Sequence, residues 1–118
     1  MRRAVLLLVL VLGGCGTPKE LPKQADEVGS IAAEGALLAH DAAEGGTTGV
    51  FTREHASALR KLLGKLRPAI ADQRLAQLGT RTDAALARLA SDPGDEAASA
   101  RLEHELDSIA EAAAKLAS

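Results

Sequence analysis

The chain has no tryptophan, no tyrosine and a single phenylalanine, Phe51. It therefore offers no aromatic platform on which nucleic-acid bases could stack. An aliphatic core also buries less area per residue than an aromatic one, so only modest stability is expected. One cysteine, Cys15, rules out an internal disulfide, a zinc ribbon or a Cys-x-x-Cys redox pair. The one methionine is Met1, which leaves no thioether later in the chain for a copper(I) site. Val and Ile are scarce after residue 12, and strands draw on them. A strong basic excess is missing too: the formal charge is −2, against the positive face that nucleic-acid binding needs.

What is present is alanine, about a fifth of the chain, and leucine, within an apolar share of 47%. These are the best helix formers, so composition alone argues for an all-α fold. A length of 118 residues is enough for one domain.

The first sixteen residues read MRRAVLLLVLVLGGCG. Arg2 and Arg3 form a positive start, Ala4 to Leu12 an apolar stretch, and Gly13 and Gly14 a small-residue end, the three-part layout of a secretory signal. Nine apolar residues are too few to span a bilayer as a permanent helix, which takes about 20. The segment Leu12-Gly13-Gly14-Cys15 resembles the lipobox of bacterial lipoproteins: an apolar residue, two small residues, then cysteine. That resemblance covers residues 1–16 only. It implies that Leu12, Gly13 and Gly14 are recognised by signal peptidase II. Cys15 would carry a diacylglyceryl group on its sulfur and become the first residue of the mature chain. Loss of Arg2 and Arg3 would take the charge from −2 to −4. The implied address is the extracytoplasmic side of the cell envelope. Gly16 stands where Asp would retain a lipoprotein at the inner membrane. The expectation is thus the outer membrane if the cell has one, otherwise the outer face of the cytoplasmic membrane.

The remainder divides into a tether and a helical domain. Residues 15–23, the lipidated start followed by GTPKELPK, contain two prolines and read as an extended tether. Residues 24–118 read as a helical bundle domain. A first helix is predicted from about Pro22 to Glu44, with Val28, Ile31, Ala32, Gly35, Leu38, Ala39 and Ala42 on one face and Gly45-Gly46 ending it. Thr52 is the predicted N-cap of a second helix over about 53–66, with Leu59, Leu62, Leu63 and Leu66 inward and His55 on the same side. At about 100° per residue the apolar stripe changes direction after Pro68, which predicts a break there and a third helix over about 69–91. A fourth runs over about 95–117 after the turn Ser91-Asp92-Pro93-Gly94, with Leu102, Leu106, Ile109, Ala113 and Leu116 at coiled-coil spacing. The architecture expected is a small antiparallel bundle of four helices. The alternative is three helices with a long middle one kinked at Pro68.

Charge sorts by helix. Residues 20–44 carry one Lys against six acidic residues, residues 53–88 eight basic against three acidic, and residues 92–111 one Arg against seven acidic. Two acidic end helices are expected to pack on a basic middle. The alternative leaves that basic middle open to anionic lipid headgroups or an acidic partner.

No constellation for catalysis stands out. His40, His55 and His104 are not paired at the i, i+4 spacing that sets two metal ligands on one helix face. His40 and His104 read as solvated, His55 as an edge residue. Glu-x-x-His, nucleophile-elbow and P-loop patterns are absent. Apart from the covalent lipid on Cys15, no cofactor or metal is expected. The loop from Gly45 to Phe51 is a candidate contact loop through Thr47, Thr48 and Phe51. The reading preferred for Phe51 is a hydrophobic staple closing the second helix onto the core. By subtraction, the functional expectation is a membrane-anchored, non-enzymatic module that binds or scaffolds another envelope component. Two alternatives are a carrier of a metal or small hydrophobic ligand within the bundle, and a lipid-surface-binding amphipathic helical protein.

Overall fold

The computed structural model describes residues 20–118, and the signal-peptide and lipobox residues, Cys15 included, lie outside them. Four α-helices and one 3-10 turn make up the described residues: α1 Glu20–Ala43, α2 Gly49–Leu66, the turn Arg67–Ala69, α3 Gln73–Ser91 and α4 Glu96–Ala117. They form an all-α, antiparallel four-helix bundle.

Each boundary has a local cause. α1 begins at Glu20, inside the stretch expected to be extended through residue 23. Pro22 falls in the first turn of the described helix, where backbone N–H groups have no helical partner to lose, so the helix accommodates it. α1 ends in a Schellman motif. Gly45 takes φ +74, Gly46 N donates to Asp41 O at 2.8 Å and Gly45 N to Ala42 O at 3.2 Å. α2 starts at Gly49, four residues before the expected start, because Thr48 and not Thr52 is the cap: its Oγ1 accepts from Phe51 N at 3.1 Å. The 3-10 turn holds Pro68, and residues 70–72 then run extended to Asp72, whose Oδ1 accepts from Arg74 N at 2.9 Å and Leu75 N at 3.1 Å. The chain therefore breaks at Pro68, and the single kinked helix is excluded. α3 continues through Gly79-Thr80, and Asp95 caps α4 by accepting from Ala98 N at 2.9 Å.

The helices alternate in direction, and each is packed against the next. α1 and α4 share the most extensive interface, and α1 also meets α3 across the centre. The acidic end helices do pack on the basic middle, as expected, but they pack on each other more extensively still. The reason is size. The buried face of α1 holds Val28, Ile31 and Leu38 among Ala25, Ala32, Gly35, Ala36, Ala39 and Ala42, with Gly29 beside them, and the small residues let α4 approach closely. A Cβ added at Gly29 would lie 3.2 Å from Ala113 Cβ. α4 supplies Leu102, Leu106, Ile109 and Ala113 to that seam, while Leu63 of α2 and Leu75, Leu86 and Leu89 of α3 complete the core. On α2 the buried stripe is Thr52, Ala56, Leu59 and Leu63. Leu62, expected inside, is 52% exposed.

Candidate functional site

The turn joining α1 to α2 carries the candidate contact residues. The hydroxyls of Thr47 and Thr52 meet, and the Thr48 carbonyl lies 3.2 Å from the first and 3.0 Å from the second. Thr52 is buried in this arrangement. The threonines of the loop thus spend their hydroxyls holding the turn: Thr48 as helix cap, Thr47 as its brace.

Phe51 is the correction here. It is not a staple against the core; it sits in the first turn of α2 and is 53% exposed. Its ring stands edge-on to His55, with centroids 5.5 Å apart and planes at 82°. His55 Nε2 lies 3.2 Å from Glu34 Oε2 on α1, so the aromatic pair is fixed to the neighbouring helix through one polar contact. Val50, 61% exposed, precedes Phe51, and Leu37, 67% exposed, lies one turn beyond Glu34 on α1. Leu37, Val50 and Phe51 are thus three large apolar side chains exposed to solvent in the half of the α1–α2 hairpin nearest its turn. Val50 and Leu37 were not among the residues singled out from the sequence. The mis-set start of α2 hid Val50, and Leu37 lies beside a correctly assigned stripe.

The other histidines are apart from this cluster. His40 Nδ1 faces both carboxylate oxygens of Glu103, at 3.1 and 3.2 Å, across the α1–α4 seam. The hydrogen bond to that carboxylate, and then its charge, raise the His40 pKa above 6.5. His104 is exposed on α4. Among the described residues no three His, Cys, Asp or Glu side chains come together in a way that could hold a metal ion. Arg88, Asp92, Arg101, Leu102 and Glu105 line an open groove between the end of α3 and the start of α4. Glu105 there lies 3.8 Å from Arg88 and 4.0 Å from Arg81. No helix among the described residues is long and apolar enough to cross a membrane. Comparison of the chain with protein-family models, with curated proteins and with solved structures finds no match.

Proposed function

We propose that the chain is a lipid-anchored lipoprotein of the bacterial cell envelope whose helical bundle binds or scaffolds another envelope component without catalysing a reaction. The observation that carries the anchor is positional. The only cysteine of the chain falls at the end of a positive, apolar, small-residue sequence, directly after Leu12-Gly13-Gly14. Acyl chains on that sulfur would hold the protein at the bilayer at ~0.8 kcal/mol per buried methylene. The binding role draws support from the exposed Leu37, Val50 and Phe51 at one end of the bundle.

The test is metabolic labelling with radioactive palmitate in a bacterial host. The wild-type chain takes up label and fractionates with membranes. The Cys15→Ser variant takes up none. Equal labelling of the two, or no labelling of either, overturns the anchor.

A further inference from the structure

We propose that the tip of the α2–α3 hairpin docks on the anionic phospholipid headgroups of the bilayer that holds the chain; this rests on the anchored reading above. The first observation is charge. Residues 60–74 contain Arg60, Lys61, Lys65, Arg67 and Arg74 against one acid, Asp72. Asp83 of α3 comes in beside them and serves two of the arginines, Arg60 at 2.9 Å and Arg67 at 3.9 Å, while Asp72 takes Arg74 at 3.0 Å. Within 4.0 Å, two carboxylates thus serve three of the five cations. Lys61 and Lys65 are exposed and have no carboxylate within 4.0 Å among the described residues.

The second observation is apolar exposure among those cations. Leu62 is 52% exposed, Pro68, Ala69 and Ala71 are exposed, and Ile70 is half-buried. Cations interleaved with uncovered apolar side chains suit the boundary between headgroups and acyl chains.

The third is position. Gln24 Nε2 donates to Ala69 O at 3.0 Å, so the tip is tied to the start of α1. From Glu20 the chain has only five residue steps back to Cys15, a reach of at most about 18 Å. The two turns at the opposite end are acidic: residues 41–48 and 91–96 carry Asp41, Glu44, Asp92, Asp95 and Glu96 and no Lys or Arg, with Arg53, Arg88 and Arg101 set back along the helices. An anionic surface would attract the hairpin tip and repel that far end. α1 brings Glu20, Asp26 and Glu27 against Lys23 to the near end, and α4 brings Glu111 and Lys115 beside Arg74, so the positive surface belongs to the hairpin and not to the whole end.

The test uses the lipidated protein purified from membranes, with Ala69→Cys at the tip or Gly94→Cys at the far end carrying a nitroxide. It is read in vesicles of phosphatidylcholine with and without phosphatidylglycerol. At residue 69, collision with membrane-dissolved oxygen rises severalfold when phosphatidylglycerol is present. It falls back in high salt and in the Lys61→Gln/Lys65→Gln variant; residue 94 stays in water throughout. A residue 69 that is equally wet in both vesicles, or equally deep with and without the lysines, overturns the proposal. So does a tip that stays in water while crosslinking to an envelope protein. Uptake of a second nitroxide at Cys15 shows instead that the cysteine carries no lipid, and the anchor fails separately. The same unacylated chain is then sedimented with the two vesicle types. Affinity for the anionic vesicles falling about fivefold per lysine removed supports docking, and no fall overturns it.

Discussion

A methyl group added at Gly35 would lie 2.9 Å from Leu86 Cδ2 and 3.4 Å from Leu106 Cδ1, both side chains of the buried core. A branched side chain there must displace the Leu86 and Leu106 methyl groups from their packed positions, so Gly35→Val is expected to cost about 1–3 kcal/mol by overpacking. Gly64 is the counterexample. It is an exposed helical glycine with nothing within 4 Å of an added Cβ, and Gly64→Ala is expected to gain about 0.5–1 kcal/mol. Thermal melts followed by far-ultraviolet circular dichroism separate the two, with the melting temperature falling in one variant and rising in the other. Phe51 permits a cleaner division between stability and binding. Because its ring is half in water and touches His55 rather than the core, Phe51→Ala should leave the melting temperature near wild type. In the proposed function, the same variant loses crosslinking to its envelope partner. A drop of many degrees would instead return Phe51 to a packing role.

At the level of helices, two contacts hold elements in place, and each answers to pH in its own direction. His40 joins α1 to Glu103 of α4. Its folded pKa is raised above 6.5, so the stabilisation is fully present below that pH and is lost as pH rises through the raised value. Proton NMR should show His40 titrating above 6.5 in the wild type and closer to 6.5 in Glu103→Gln, and melting temperature should fall over the same window in the wild type alone. Asp72 works the other way. The hydrogen bond from the Arg74 side chain, and then the backbone N–H groups of Leu75 and Arg74, hold its pKa below 3.8, so its contribution is present above that value and is lost as pH falls through the lowered one. Asp72→Ala removes the cap of α3 and should lower the denaturation midpoint at neutral pH, measured by denaturant titration. Much of this was legible in the sequence. The change of apolar phase at Pro68 predicted the break between α2 and α3, and the spacing of Leu102, Leu106 and Ile109 predicted the buried face of α4. The start of α2 was not legible, because Thr47, Thr48 and Thr52 are all good caps by residue type, and only burial of the Thr52 hydroxyl against Thr47 decides among them. Placing Thr52 inside turns Phe51 and Leu62 outward, which is why both expectations failed together. Contacts such as Glu34 with His55 and His40 with Glu103 join residues 21 and 63 positions apart, and no local pattern announces them.

For the molecule as a whole, an even number of helices in alternating directions has a simple result. The start of α1 and the end of α4 lie at the same end of the bundle, and the turns at 44–48 and 92–95 lie at the other. Function divides along that axis in the readings above, with the anchor and basic hairpin tip at one pole and the exposed Leu37, Val50 and Phe51 toward the other. The seam between α1 and α4 runs the length of this axis, yet no peptide bond joins those two helices. It is the largest interface of the fold, and it is made between the segments farthest apart in sequence. Covalent continuity is therefore needed least at the α3–α4 turn, where Gly94 is exposed and nothing lies within 4 Å of an added Cβ. A circularly permuted bundle, beginning at Gly94, joined from Ser118 to Glu20 by a flexible Gly/Ser linker and ending at Pro93, should keep its helical circular dichroism and melt in one cooperative step. In that permutant α4 and α1 become neighbours along the chain, and the fold's main seam would close as a local hairpin, with correspondingly faster folding.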